Sequence, residues 1–473
     1  MANHGVNISQ RATSLATPSV SKSAVPFVIG IAPIQCVKSP AAAGRPVLCT
    51  SYQEAVEKIG YSSDWTKYTL CEFLYSHFVL FGMQPVIFLN LLDPSTMNKA
   101  VIAADMTVTD HKIKLEIEAI DDAALVVKAS GGSGTAYVKG TDYDVYYSGE
   151  NLIVEAKSGG SCYGVTSLNI AYKKVTPESV DAGAVATGLE NIELCMTTLG
   201  VIPDLICAPG FSDNTSVAAA MGAKAAGIGG MFRAKALVDI STAASGGADE
   251  YSKVVPLKNS HVFTDPNQIV CWPLLKLGSH TFHFSTQQAG LMARTDQDYG
   301  CPFASPSNKS LKCDAMVVAA GTEVNLTLAQ ANALNAGGVV TALNFMGDWV
   351  SWGNYTACYP GNTDVKDTFI CVSRMFDWVA NTLIRTFWSK LDKPMNRRFI
   401  DSILDTCNIW LNGLVGSGYL LGAHVVMLDV ENPMSNLMAG IIRLHIYMTP
   451  PSPAQEIDFT LEYDASYATS ALS

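Results

Sequence analysis

Two hydrophobic patterns alternate along this chain, and their order limits its possible folds more than any single motif does. Apolar strands separated by helical patterns occupy residues 25–93 and return over residues 176–345. Such alternation predicts a mainly parallel sheet with helices on its faces. Between these segments, residues 94–175 hold short stretches of alternating apolar and polar residues, as in a small all-β sandwich. The sequence therefore predicts a discontinuous α/β domain with a β domain inserted into it.

Elements of the α/β domain follow from the same patterns. Residues 25–32 and 85–92 are continuous apolar runs of the kind that is buried on both faces of a parallel sheet. A helix is predicted over residues 66–81, where apolar residues recur at helical spacing. Further helices are predicted over residues 180–198 and 215–231.

The last third of the chain predicts two long helices, over residues 365–390 and 395–415, separated by a break at Asp392-Lys393-Pro394. The inward face of the second helix is expected to carry Phe399, Ile403, Leu404, Ile409, Trp410 and Leu411. Four basic residues surround the break, namely Lys390, Lys393, Arg397 and Arg398. They suit a solvated surface that complements a helix C-terminus, or a contact with an acidic neighbouring protein.

The end of the chain predicts two strands with unused edges. Every second residue is apolar over residues 442–448 and again over 457–463, the pattern of a half-buried strand. The apolar residues include Ile442, Leu444, Ile446, Ile457, Phe459 and Leu461. Two strands alone are unstable, so another chain is expected to complete their edges.

The first 24 residues are polar and rich in Ser, Thr and Ala, and they have no helical stripe. They suit a disordered tail, or an arm that becomes ordered on a neighbouring molecule. The sequence leaves both interpretations open.

Composition narrows the class of protein. Charged residues make up 15% of the 473 residues, below the roughly 25% of ordinary globular proteins, which suggests surface buried against other subunits. The net charge of −11 argues against binding to nucleic-acid phosphates. Apolar runs fall short of the roughly 20 residues that span a bilayer, and the run over residues 25–34 is too short and too far from the start for a signal peptide. A cytosolic protein without membrane insertion is expected.

The twelve cysteines are scattered without a CxxC pair, which favours free thiols. Phosphate-binding glycine motifs and a G-x-S-x-G motif are absent from the sequence. His280 and His283 are expected to face opposite ways on a strand, which disfavours a metal site. The segment around Ser216 looks like a subtilisin nucleophile, but no matching His and Asp accompany it. We therefore predict no catalytic, cofactor-binding or metal-binding residues; an α/β hydrolase-like enzyme with an accessory β domain remains the alternative.

Several motifs occur in an order that is typical of one family. An A-G-x-x-A-R-x-D turn is predicted at residues 289–296, followed by Gly300, Pro306 and Asn308. Further matching positions are Leu334-Asn335, Gly338, Trp352-Gly353-Asn354-Tyr355-Thr356, Gly418, Gly422, Asn432, Gly440, Pro451, Pro453 and Glu456-Ile457. Over nearly its whole length the chain resembles contractile phage-tail sheath proteins, and residues 140–145 resemble the β-sandwich insert of sheath proteins from Gram-positive hosts.

The resemblance implies a domain plan. Residues 1–24 would be an N-terminal arm, and 25–93 with 176–345 a subtilisin-like α/β core that is not catalytic. Residues 94–175 would be the inserted β-sandwich, 346–455 an α+β C-terminal domain, and 456–473 a C-terminal strand and arm.

The resemblance also implies a function. The chain would polymerise as hexameric rings stacked into a helical sheath around a tail tube, and contraction would drive the tube through a target cell envelope without nucleotide or cofactor. Its partners would be itself, the tube protein, and baseplate and tail terminator proteins. The particle, a virion tail or tailocin, would be assembled in the host bacterial cytoplasm. Strand addition between subunits would use the six apolar residues at the chain end, and the four basic residues would contact the tube.

Overall fold

A computed structural model describes residues 18–464 and 466–467, and shows a mixed α/β fold with several sheets. In chain order the first strands are β1 Pro26–Gly30, β2 Pro46–Cys49, β3 Val86–Asn90, β4 Asn98–Thr107, β5 Lys112–Glu116, β6 Val126–Ala129, β7 Tyr143–Ser148, β8 Asn151–Ala156, β9 Ser167–Val175 and β10 Leu205–Cys207. The later strands are β11 Lys235–Asp239, β12 Gln268–Cys271, β13 Leu274–Leu277, β14 His280–Phe282, β15 Ala315–Val317, β16 Glu323–Val324, β17 Val339–Phe345, β18 Asp348–Trp352, β19 Gly422–Val426 and β20 His445–Thr449. The helices are α1 Tyr52–Ile59, α2 Thr69–Leu74, α3 Ala182–Gly188, α4 Thr215–Ala226, α5 Tyr251–Ser260, α6 Phe284–Tyr299, α7 Leu328–Ala336, α8 Val365–Thr368, α9 Ile370–Phe387, α10 Arg397–Gly416 and α11 Met434–Met438.

The largest sheet has eight strands in the order β18-β17-β12-β11-β10-β1-β3-β2. Its inner pairings are parallel, and only the edge strands β2 and β18 run antiparallel to their neighbours. Every residue of β1 and β3 is buried, as expected where helices cover both faces. Because β1 pairs with β10, residues far apart in the sequence complete one sheet.

The chain between β3 and β10 forms two antiparallel three-stranded sheets, β4-β9-β6 and β5-β8-β7. Their apolar side chains share a core of their own, with Val127, Leu152 and Ile170 among its most buried members. Glu150 ties this region to the loop before α2, because its carboxylate accepts hydrogen bonds from Ser62 Oγ and Ser63 N, both at 2.7 Å.

The A-G-x-x-A-R-x-D motif lies inside α6 and not in a turn, so the turn prediction was wrong. The helix is buried along most of its length, and an added Cβ at Gly290 would lie 2.5 Å from the ring of Phe81. Glycine therefore permits the close approach of α6 to the end of the helical segment Tyr75–Leu80, which Phe81 follows. The turn comes after the motif, where Gly300 ends α6 with a left-handed φ of 86°.

Asn308 and Leu311 protect one edge of the largest sheet. Their backbone N–H groups donate to Ser351 O at 2.6 Å and Trp349 O at 2.8 Å, respectively. This segment therefore covers the outer side of β18.

Four predicted helices are shorter or more broken than expected, and the one predicted over residues 215–231 ends at Ala226. The helix predicted over residues 66–81 begins at Thr69 and continues as a π-helix over Tyr75–Leu80. The one predicted over residues 180–198 changes after α3 into a 3-10 and then a π-helical segment. Residue 369 interrupts the helix predicted over 365–390, because Phe369 is extended and bridges to Tyr355. On α10, Ile409 was predicted to point inward and is 54% exposed, so that prediction was wrong.

His77 lies in the π-helix and is fully enclosed. Neither ring nitrogen has a hydrogen-bond partner among the described residues, and the ring stacks on Phe73 with centroids 5.2 Å apart. Burial lowers the pKa of His77 from 6.5 to about 3, because the charged form would lose its hydration without compensation.

We expect His77 to make the protein acid-sensitive. Below pH 6.5 the unfolded chain binds a proton that the folded chain excludes, so this residue reduces the free energy of unfolding by about 1.4 kcal/mol per pH unit down to about pH 3. Urea unfolding of a His77→Phe variant between pH 7 and 4 should lose this part of the slope. His111→Phe, at an exposed position, is the control, and identical slopes for wild type and His77→Phe would contradict the expectation.

Candidate assembly site

The C-terminal part of the chain packs α9 and α10 against a two-stranded sheet. Strands β19 and β20 pair antiparallel, with Val425 opposite Ile446. Leu444, Ile446 and Met448 pack against the hydrophobic cluster that Met375 and Leu411 form in the two helices. No third strand joins this sheet within the described residues, and a lone pair of strands gains little stability by itself.

Strand β20 is shorter than predicted, because it begins at His445 and not at residue 442. The side chain of Asn432 occupies the backbone groups that would have extended the ladder. Its Oδ1 accepts from Arg443 N and its Nδ2 donates to Arg443 O, both at 2.8 Å. A side chain thus replaces a strand partner here, and Ile442 and Leu444 lie just outside the regular strand.

An apolar groove of about 630 Å³ opens between the end of α9, the start of α10 and the segment before β20. Its lining includes Leu383, Phe387, Phe399, Ile403, Ile442 and Ile446. Leu444 also borders the groove, so all three residues predicted in the first strand contribute to one surface. This groove is an apolar recess next to the unpaired sheet.

The four basic residues surround the same groove. Lys390 and Lys393 line it, whereas Arg397 and Arg398 lie in the first turn of α10. Arg397 Nε donates to Asp401 Oδ1 at 2.9 Å, yet its side chain remains 88% exposed. An exposed pair of this kind contributes little to stability. A partner could therefore replace this contact with little loss of folding stability.

The second predicted strand does not form within the subunit. Residues 456–464 have no regular structure, and Ile457, Phe459 and Leu461 are 71%, 86% and 95% exposed. The structure therefore does not bring these three residues together with Ile442, Leu444 and Ile446. Large apolar side chains this exposed have no partner in their own chain among the described residues.

Residues 18–24 lie along α9 of their own subunit. Ser19 N donates to Thr386 Oγ1 at 3.0 Å, Ser21 N donates to Thr382 Oγ1 at 3.1 Å, and Trp378 Nε1 donates to Ser21 O at 2.9 Å. This anchored stretch is the root of the predicted N-terminal arm. Residues 1–17 of that arm lie outside the described residues.

A buried ion cluster joins the root, the large sheet and α9, and sequence reasoning missed it. Arg374 on α9 makes two hydrogen bonds to Asp296, at 2.9 and 2.6 Å, and lies 3.5 Å from Asp204. Asp204 also accepts from the backbone N–H of Ala24 at 2.7 Å and of Val25 at 2.6 Å. Burial raises the pKa of Asp204 to about 6, although Arg374 opposes the shift.

A signal for this cluster was present in the sequence. Asp296 is the last residue of the motif in α6, and Arg374 is a charge within an otherwise apolar stretch of α9. Charges are rarely buried without a partner, so each implied an opposite charge nearby. Which residues pair is decided only by the packing of α6 against α9.

The carboxyl ends of the central strands hold polar residues of the kinds that catalyse hydrolysis. Asp239 accepts from Ser212 Oγ at 2.9 Å, and His283 Nδ1 contacts Glu72 Oε2 at 2.8 Å. Burial opposes a charge on His283, but the Glu72 carboxylate outweighs it and raises the pKa to about 9. In the described part of the chain no serine hydroxyl bonds to a histidine, and Ser216 instead bonds to Asn214 Oδ1 at 2.7 Å. A nucleophile held by its base is thus not found among these residues.

Residues 18–464 contain no group of three or more His, Cys, Asp or Glu side chains suited to a metal ion. His283 precedes α6 and does not share strand β14 with His280, contrary to the prediction. Among the helices of the described region, none has the length and apolar character needed to cross a bilayer.

No protein-family model matches the chain. Among curated proteins, the tail sheath protein of Burkholderia phage BcepMu is 25% identical over 482 aligned positions, covering 98% of this chain and 97% of the relative. A putative prophage major tail sheath protein of Pseudomonas aeruginosa is 25% identical over 62% of this chain and 73% of its own length.

Solved structures agree in fold. A chain of the anti-feeding prophage baseplate superimposes with a TM-score of 0.60 at 17% identity, over 98% of this chain and 99% of the other. A chain of the contracted PVC sheath complex of an extracellular contractile injection system gives a TM-score of 0.59 at 14% identity, with 99% of each chain covered.

These likenesses extend over almost the whole chain in both sequence and fold. They favour a structural protein and do not support the hydrolase-like alternative. Over almost its whole length the chain is therefore similar in sequence to tail sheath proteins of phages and prophages, and similar in fold to sheath and baseplate chains of contractile injection systems.

Proposed function

We propose that this sheath subunit polymerises helically around a tail tube and contracts to drive the tube through a target cell envelope. The observation that carries the proposal is the incomplete C-terminal sheet beside an exposed apolar tail in the same chain. A tail that finds no place in its own subunit can complete the sheet of a neighbour. Because such a contact is heterologous, it can repeat from subunit to subunit and build an open helical assembly.

The same proposal divides the chain into parts. The arms are residues 1–24 and 456–473, the core is 25–93 with 176–345, and the C-terminal domain is 346–455. Residues 94–175 form the inserted domain, and its two facing sheets around a separate core support a β-sandwich. The eight-stranded, mostly parallel sheet supports the subtilisin-like description of the core.

Strand addition would use the groove next to the unpaired sheet. A strand from a neighbour would place Ile457, Phe459 and Leu461 on an apolar surface that includes Ile442, Leu444 and Ile446. Burial of each donated side chain would contribute roughly 1.5–3 kcal/mol, less the cost of ordering the arm. One contact is weak, but every subunit repeats it, and avidity strengthens the assembly.

The wider particle follows from this role. We propose hexameric rings stacked into a helix, with the tube protein inside and baseplate and tail terminator proteins at the ends. Assembly would take place in the host bacterial cytoplasm, and the finished sheath would belong to a virion tail or tailocin. The work of contraction would come from subunit contacts and not from a nucleotide or other cofactor.

Electron microscopy tests this function directly. Purified full-length protein, alone or mixed with tail tubes, should form hollow tubes or stacked rings in negative stain. A discrete small oligomer under every condition tested would contradict a sheath role.

The basic cluster provides a separate prediction about the tube. If Lys390, Lys393, Arg397 and Arg398 contact an acidic tube, the double variant Arg397→Glu with Arg398→Glu should reduce sheath loading onto tubes at least several-fold at low salt. The loss should change with ionic strength, because exposed charges are screened. Loading would be measured by co-sedimentation with tubes.

A matched control distinguishes an effect of this site on loading from an effect of net charge. Lys38→Glu with Lys114→Glu makes the same change in charge at exposed positions elsewhere, and should load normally. Equal loading of both double variants would assign the cluster to a solvated surface.

A further inference from the structure

A short proline-rich strap, residues 450–455, leads from β20 back to the core. Pro450, Pro451 and Pro453 restrict the backbone φ angle to about −65° and also limit the residues before them. Pro450 is buried, and the strap begins where Leu421 N donates to Thr449 O at 2.8 Å. The strap is therefore a stiff connection and not a loose linker.

The far end of the strap is attached through one side chain. Gln455 Oε1 accepts a hydrogen bond from the Tyr355 hydroxyl at 2.7 Å, and Gln455 Nε2 donates to Asn354 Oδ1 at 2.8 Å. The oxygen and the nitrogen of the Gln455 side-chain amide thus each make a hydrogen bond. Beyond it, residues 456–464 are exposed and have no regular structure.

The receiving turn is itself held firmly. The Tyr355 ring stacks on Tyr359 with centroids 3.9 Å apart and an angle of 6°, and it lies 5.3 Å from the Phe369 ring. Asn354 O accepts from Ile370 N at 2.9 Å, at the start of α9. The partners of Gln455 thus lie on the junction between the large sheet and the C-terminal helices.

We propose that Gln455 is a positioning residue, a releasable clip that sets where the C-terminal tail leaves the subunit. A stiff strap with an anchored end directs the tail, whereas an unanchored one would let it sweep a wide volume before meeting a neighbour. Because both hydrogen bonds are exposed to solvent, they compete with water and open readily. The two hydrogen bonds therefore fix the start of the tail in the free subunit, and they break when a neighbour binds the tail. This inference rests on the proposed strand-donating role of the tail.

Pulsed electron spin resonance on the full-length, unassembled protein tests the clip itself. Genetically encoded spin labels at Asp458 and Lys309, one on the tail and one on the core, report the distribution of tail positions. Gln455→Ala and Tyr355→Phe should each broaden the distribution, and combining them should broaden it no further than Gln455→Ala alone, because that change already removes the bond to Tyr355. Glu456→Ala, next to the clip, is the control and should not broaden it.

Assembly gives the second measurement. Gln455→Ala should slow tube formation roughly two- to tenfold, in proportion to the loss of a weak anchor, with the melting temperature unchanged. An unchanged distance distribution in Gln455→Ala would overturn the clip, and so would normal assembly of that variant when Phe459→Asp fails to assemble. If the distribution broadens but Phe459→Asp assembles normally, the strand-donating role fails and the structural clip stands, so the two failures can be told apart.

Discussion

Phe459→Asp is expected to abolish tubes while the subunit folds normally. Phe459 is 86% exposed in its own chain, so the substitution removes no intramolecular packing. In an assembled sheath the same position would enter the apolar groove, where an aspartate would be costly to desolvate and the burial of phenylalanine would be lost. Since every subunit repeats the contact, the loss is multiplied along the filament. Tubes would be counted by electron microscopy and folding followed by calorimetry.

Thr460→Asp is the matched control for this change. It places the same charge at the next residue, which faces the other side of an extended strand, and it should leave tubes largely intact. Normal tubes from Phe459→Asp would exclude strand donation by this tail. Equal failure of both variants would show that the effect is one of charge and not of burial.

The N-terminal arm requires a more careful truncation than a deletion up to residue 23. Such a deletion would also remove Ser19 and Ser21, which bind α9 of the same subunit. Deletion of residues 2–17 leaves that root in place and tests only the outer part of the arm. If tubes then form normally, residues 2–17 are not needed for the contacts that hold subunits together.

Arg374→Met is expected to cause the largest loss of stability. The side chain is buried and makes two hydrogen bonds to Asp296, which is equally buried. Removing it leaves Asp296 and Asp204 without their cation, and breaking a buried pair in this way costs about 3–5 kcal/mol. The free energy of unfolding would be measured in urea. Since the pair joins α6 to α9, we also expect the C-terminal helices to separate first.

Two further variants test whether the buried ion pair causes this loss of stability. Arg294→Ala removes an exposed pair with Asp298 on the same helix as Asp296, and should change stability by no more than about 0.5 kcal/mol. Arg374→Met combined with Asp296→Leu should lose less than the sum of the single changes, because Asp296 is then no longer left as a buried charge without its partner. Strict additivity of the two changes would contradict a direct coupling.

Part of the fold of this protein could be predicted from its sequence alone. Continuous apolar runs such as residues 85–92 determine strands that need cover on both faces, and period-two stretches between 94 and 175 determine half-exposed strands, because side chains alternate along an extended backbone. The exposed apolar residues Ile457, Phe459 and Leu461 could be identified by the same alternation. These features depend on the local order of polar and apolar residues.

Other features of the fold depend on tertiary contacts and could not be predicted from the local order of polar and apolar residues. The motif at residues 289–296 lies in a buried helix and not in a turn, and Gly290 of this helix packs closely against Phe81. The strand predicted from residue 442 begins at His445, because the side-chain amide of Asn432 hydrogen-bonds to the backbone N–H and C=O of Arg443. The pairing of Asp296 with Arg374 and the attachment of Gln455 to Tyr355 join residues 78 and 100 positions apart. Such contacts depend on how helices and strands pack in space, and so no pattern within a short stretch of sequence specifies them.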